Sequence, residues 1–149
     1  MGIQGDDPGG YMVPRIRVFI TCAWQDAYLA SCFQKDLEAC GADSFRDRRH
    51  IEFGDYIDAQ ILEASTNCTE QAVLMTPTAM KSLWVWMEIG LFWGARKRIV
   101  VLLHGISKQE FINHSQVPPF LKEMNVVESN DISSYFEQLK RRVQEGGAS

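Results

Sequence analysis

Arg15-Ile16-Arg17-Val18-Phe19-Ile20-Thr21 is the stretch on which the fold reading turns. It alternates polar with apolar residues and then runs apolar, the pattern of a strand buried on both faces of a sheet. Working outward, Ala27 to Ala39 places Leu29, Cys32, Phe33 and Leu37 at helical spacing, with Cys40 continuing the stripe and Gly41 as a stop. Ala42-Asp43-Ser44-Phe45-Arg46 reads as a weak second strand. Tyr56, Ile57, Ile61, Ala64 and Cys68 mark a second amphipathic helix, which Asp55 would cap. Gln71-Ala72-Val73-Leu74-Met75-Thr76 is a third strand stopped by Pro77, and Ser82 to Lys97 is a helix apolar on nearly every side. Arg98 to Leu103 is a fourth strand closed by Gly105, and Asn113 to Pro119 is a loop. Asn125-Val126-Val127-Glu128 reads as a short edge strand, and Ile132, Tyr135, Phe136, Leu139 and Val143 as the stripe of a final helix. Strands alternating with helices at this spacing predict an α/β fold built on a parallel sheet covered on both faces. Ligands in such folds bind beyond the carboxyl ends of the strands. Thr21 to Asp26, Asp47 to Tyr56 and Thr76 to Glu88 are therefore expected to meet.

The 149 residues suffice for one domain, and 46% hydrophobic with 23% charged residues excludes a disordered chain. The expected division is a flexible segment over 1–14, one domain over 15–143, and a flexible tail or linker to another domain over 144–149. Fifteen Lys and Arg against nineteen Asp and Glu give a formal charge of −4, so direct nucleic-acid binding is not expected. Ser82 to Ala95 is broken by Glu88 and falls short of the ~20 apolar residues that span a bilayer, so no membrane partner is expected either. The start of the chain lacks the charged and apolar segments of a signal peptide, which makes a cytoplasmic location the expectation. Cys22, Cys32, Cys40 and Cys68 form no C-x2-C pair, and His50, His104 and His114 no H-x3–5-H pair. Free thiols and no metal site are expected.

Phosphate loops, dinucleotide fingerprints and nucleophile elbows have no matching motif. What remains is Glu88, the only acid between Glu70 and Glu110, set among apolar residues. A carboxylate in such company either reaches a cleft or has its pKa raised by desolvation. Trp84 lies one turn earlier on the same ridge, so an indole face and a carboxylate point the same way, an arrangement suited to a flat, cationic, hydroxylated substrate. Pairing of Glu88 with Arg96 or Lys97 is the alternative that the pattern leaves open.

Phe19-Ile20-Thr21-Cys22-Ala23-Trp24-Gln25-Asp26 resembles the first box of Toll/interleukin receptor (TIR) domains. Asp47 with Gly54-Asp55 resembles the second box, Leu74-Met75-Thr76-Pro77 the Leu-Ser-Pro turn, and Ser82-x-Trp84-x-x-x-Glu88 the Ser-x-Trp…Glu helix. Pro118-Pro119-Phe120-Leu121 sits where the family often carries a Pro-containing loop, so the likeness runs from about Arg15 to Val143. It implies a flavodoxin-like three-layer sandwich with a five-stranded parallel sheet in the order 2-1-3-4-5 and helices on both faces. Many TIR domains cleave NAD⁺ at the nicotinamide–ribose bond, and the catalytic ones carry the glutamate matched here by Glu88. NAD⁺ is then a substrate, and no cofactor is implied. Thr21, Ala23, Trp24, Asp47, Tyr56 and Trp84 fall at substrate-facing positions of the resemblance, and Phe53 and Gly54 in a loop that mediates contacts. The product the resemblance implies is ADP-ribose or a cyclic isomer. Self-association with other TIR domains, a fused or associated sensor domain and a role in prokaryotic anti-phage defence are further expectations. The sequence departs from the pattern where Thr21 and Cys22 replace Ser-Tyr and Phe53 replaces Pro. A non-catalytic TIR scaffold acting through TIR–TIR contacts is the competing reading, and a nucleoside deoxyribosyltransferase a more distant one.

Overall fold

Four parallel strands form the sheet: β1 Arg17–Thr21, β2 Asp43–Arg46, β3 Glu70–Met75 and β4 Arg98–Leu103, side by side in the order β2-β1-β3-β4. The computed structural model describes residues 15–46, 59–124 and 126–146. Asp47, Phe53, Gly54 and Tyr56, with the helix cap expected at Asp55, lie outside the described residues. The register sets Phe19 beside Phe45 on one side and Gln71 on the other, and Ala72 beside Val100.

Parallel neighbours require crossovers. These are α1 Ala27–Ala39, α2 Ala59–Asn67, the short α3 Pro77–Met80 and α4 Leu83–Gly94. Two short helices, α5 Lys108–Asn113 and α6 Pro119–Lys122, follow β4, and α7 Ile132–Gln144 closes the chain. The helix predicted over Ala27 to Ala39 has those bounds, and the one predicted from Ser82 starts at Leu83 because the Ser82 hydroxyl accepts from Val85 N–H at its cap.

Strand side chains alternate between faces, so each strand feeds two cores. On one face, Val73 and Met75 of β3 pack with Phe19 and with Val85, Ile89 and Phe92 of α4. On the other, Ala72 and Leu74 pack with Val18, Ile20, Phe33 and Leu37 of α1, and Leu139 of α7. These are the three expected layers.

Among the described residues the expected fifth strand does not form: the sheet has four strands, in the order 2-1-3-4. Val127 makes only an isolated parallel bridge to Leu102, accepting from Leu103 N–H and donating to the Val101 carbonyl, both at 2.8 Å. The chain cannot extend this ladder, because Glu128 already caps a 3-10 turn at Ser129–Asp131 that leads into α7. Among the described residues, no helix is long and apolar enough to cross a membrane.

Candidate active site

At the carboxyl edge, β1 gives way after Thr21 to Cys22 and Ala23, then to a 3-10 turn at Trp24–Asp26 that runs into α1. β3 ends at Met75, and Thr76 turns the chain. The Thr76 hydroxyl donates to Asp26 Oδ2 at 2.6 Å and accepts from Ala79 N–H at 3.0 Å, which ties the loops after β1 and β3 together. Trp86 Nε1 donates to the Met80 carbonyl at 3.0 Å and fixes α4 against the α3 turn. Glu88 lies within α4.

Glu88 is 2% exposed, and the helix buries it together with Val85, Ile89 and Phe92. Its carboxylate acts on the Cys22 thiol across the edge of the sheet. Burial pushes that thiol from an ordinary 9.0 up to about 11; the Arg46 guanidinium opposes the rise, and the Glu88 and Asp26 carboxylates add to it. Cys22, Asp26, Arg46 and Glu88 thus share one electrostatic neighbourhood, built from the ends of β1 and β2 and from α4.

Arg46 is stapled onto the start of α1, donating Nη1 to the Ala27 carbonyl at 3.1 Å and Nη2 to Ser31 Oγ at 3.2 Å. Its Nε is buried and has no hydrogen-bond acceptor among the described residues, while the guanidinium lies close enough to Cys22 to favour the thiolate.

The other sequence-predicted residues are distributed more widely. Thr21 is fully buried, and its hydroxyl accepts from Gln71 Nε2 at 2.7 Å, so it is engaged with the neighbouring strand. Ala23 is buried, and its carbonyl accepts from Asp26 N–H at 2.9 Å, closing the 3-10 turn. Trp24 is 69% exposed on that turn, and Trp84 is half-buried one helical turn before Glu88. Asp47 and Tyr56 lie outside the described residues, as do Phe53 and Gly54.

The sequence placed Thr76 and Cys22 in segments expected to reach the site but assigned neither side chain a role there. Thr76 carried a signal, since a Thr directly before Pro77 is an N-cap pattern. Cys22 carried none, because its role comes from the strands beside it. Among the described residues, no three His, Cys, Asp or Glu side chains converge on a point that could hold a metal ion.

An open parallel α/β sheet with helices on both faces, and a buried acid on α4 after β3, defines the class. Residues 18–141 match the family model described as TIR domain, and the chain belongs to that family. Its structure is similar to the TIR domain of the Toll-related receptor TRR-2 from Hydra magnipapillata, at 21% identity and a TM-score of 0.63 over 85% of this chain and 97% of that one. It is also similar to the TIR domains of the activated Roq1 resistosome that recognises the effector XopQ, at 15% identity and a TM-score of 0.56 over 89% and 83% of the two chains. At these identities the likeness is one of fold. No curated protein matches the sequence.

Proposed function

We propose that this TIR domain cleaves NAD⁺ at the nicotinamide–ribose bond, with Glu88 as the catalytic carboxylate. The observation that carries the reading is the placement of Glu88: 2% exposed, one turn after Trp84, and near enough to Cys22, just past the end of β1, for its charge to raise that thiol's pKa. A carboxylate withdrawn from water acts on a nearby cation far more strongly than one in solvent.

The substrate comes from the TIR resemblance, and its chemistry suits a single acid. The C1′–N1 bond breaks with its electron pair going to the nicotinamide nitrogen, which leaves as a neutral base and needs no general acid. Positive charge develops on the ribose ring as an oxocarbenium ion. Glu88 hydrogen-bonds the ribose hydroxyls and stabilises that charge, which grows only toward the transition state. Water then adds at C1′ and loses a proton to solvent, giving ADP-ribose; attack by an adenine nitrogen or a ribose hydroxyl gives a cyclic isomer. The paired carboxylates of glycosidases are not required. The Arg46 guanidinium would place a positive charge at the end of β2, suited to the anionic part of the substrate. Trp84 and Trp24 would offer aromatic faces to the substrate.

Assembly would switch the activity on. The Roq1 TIR domains belong to an activated resistosome, which supports this part of the reading. Leu83 at 86% exposure and Trp93 at 51% supply apolar surface for contact with a second copy. Consumption of a central cofactor on assembly is the sense in which a sensor-controlled defence role follows. The scaffold reading draws on the same exposed residues and needs no acid at position 88.

The test is nicotinamide release at high protein concentration with a crowding agent, products identified by mass, for the wild type beside Glu88→Gln and Glu88→Ala. We expect the wild type to turn over NAD⁺ and both variants to lose at least a hundredfold while keeping their assembly. No turnover by a wild type that light scattering shows to be assembled, or equal rates in Glu88→Gln, overturns the catalytic reading in favour of the scaffold.

A further inference from the structure

The opposite end of the sheet carries a feature that NAD⁺ cleavage does not use. Arg96, Lys97, Arg98 and Arg142 line, with Thr69 and Glu70, a recess of about 270 Å³. Four cations face one carboxylate there, in a chain whose formal charge is −4. The carboxylate is already held, since Arg142 donates Nη1 and Nη2 to the two oxygens of Glu70 at 2.6 and 2.9 Å. Lys97 Nζ donates to the Thr66 carbonyl at 2.9 Å. Arg96 and Arg98 are exposed and take no part in the ion pairs of the described residues, Arg15 with Asp43 and Arg142 with Glu70.

Arg96 also stands at φ 60°, where among the described residues every other positive φ belongs to glycine. It occupies the turn after α4, with Arg96 N–H donating to the Trp93 carbonyl and Lys97 N–H to the Phe92 carbonyl. Glycine ordinarily fills such a position, and an arginine there holds backbone strain. Strain retained at a surface position is a sign that the side chain is used. Helix dipoles favour cations at helix C-termini, and α6 and α7 end with Lys122 and with Arg141 and Arg142 in their last turns, whereas α1 and α2 end with no basic residue there. Arg98 opens a strand, so no helix end accounts for it.

We infer that this recess is an anion site for a small molecule bearing a phosphoryl group, with the guanidinium forks of Arg96 and Arg98 as its principal donors. A nucleotide and a free phosphate present the same chemistry, and the site lies at the edge of the sheet away from Glu88.

Calorimetry and thermal shift with inorganic pyrophosphate on the whole chain, at fixed ionic strength, test it. We expect pyrophosphate to stabilise the protein where sodium chloride of equal ionic strength does not, and to bind at least tenfold more weakly to Arg96→Gly and Arg98→Gln. Arg96→Gly gives the decisive pair of signs: its melting temperature rises without ligand, as strain is relieved, while its response to pyrophosphate shrinks. ADP binding more tightly than pyrophosphate, with the same loss in Arg98→Gln, supports the site and identifies a nucleotide; equal affinities support it and identify the phosphoryl group alone. Absence of pyrophosphate binding by the wild type overturns the proposal, as does wild-type affinity in both arginine variants. A response lost in Glu88→Gln but kept in Arg98→Gln places the anion at the other edge and overturns it equally.

Discussion

Thr76 shows how much one side chain carries at the candidate site. Its hydroxyl caps α3 through Ala79 N–H and also donates to Asp26, so one residue holds two loops in register. Thr76→Val keeps the shape and removes both bonds; a stability loss of about 1–2 kcal/mol is expected in urea denaturation. The same variant leaves the Asp26 carboxylate less constrained beside Cys22, so its effect on nicotinamide release exceeds its effect on stability. Arg142 is the second such residue. Arg142→Leu strands a buried Glu70 and is expected to cost about 3–5 kcal/mol, and adding Glu70→Leu to it recovers most of the loss, because the pair's attraction only offsets its own desolvation. At this scale the sequence was informative where chemistry is rare. Glu88 stood out as the lone acid of an apolar helix, whereas what Cys22, Thr76 and Arg46 do depends on what faces them across the sheet.

At the scale of elements, legibility followed periodicity. β1, β4, α1 and α7 showed clean patterns and formed over nearly the expected residues. α5 was missed although Ser107 and Glu110 form a reciprocal capping box, since six residues are too few to show a helical stripe. The fifth strand failed for the opposite reason. Asn125 to Glu128 has strand-like composition, but a strand is fixed by how many pairing bonds its neighbour can offer, and here the chain turns away after one bridge. α4 is anchored by the Ser82 cap and by the Trp86 bond to Met80. Ser82→Ala is expected to lower stability by about 1 kcal/mol, and to loosen the end of α4 that carries Trp84, raising the KM for NAD⁺ more than it lowers kcat.

Two predictions concern the whole molecule. Burial raises the thiols of Cys22 and Cys68 from 9.0 to about 11. A group whose pKa is raised on folding contributes stability that is fully present below its unfolded value and lost as pH climbs through the folded one. Stability should therefore fall between pH 9.0 and about 11, and the double variant Cys22→Ala, Cys68→Ala should flatten that slope once its lower baseline is subtracted. Assembly is the second. Leu83 is 86% exposed, so Leu83→Glu is expected to leave the melting temperature nearly unchanged while reducing light scattering. If assembly drives activity, NAD⁺ cleavage by the wild type rises more steeply than protein concentration, and Leu83→Glu flattens that dependence.

By itself the sequence determined the alternation of strands and helices, and hence the class of fold. Hydrophobic period and caps are local properties, written in residues a few positions apart. It also singled out Glu88 by the company that residue keeps within one helix. Only the tertiary structure decided the number of strands, the burial of Glu88, the influence of Arg46, Glu88 and Asp26 on Cys22, and the gathering of Arg96, Arg98 and Arg142 at the far edge. Those facts depend on parallel crossovers that bring residues from distant parts of the chain side by side, and a residue's charge, exposure and hydrogen-bond partners are set across that distance.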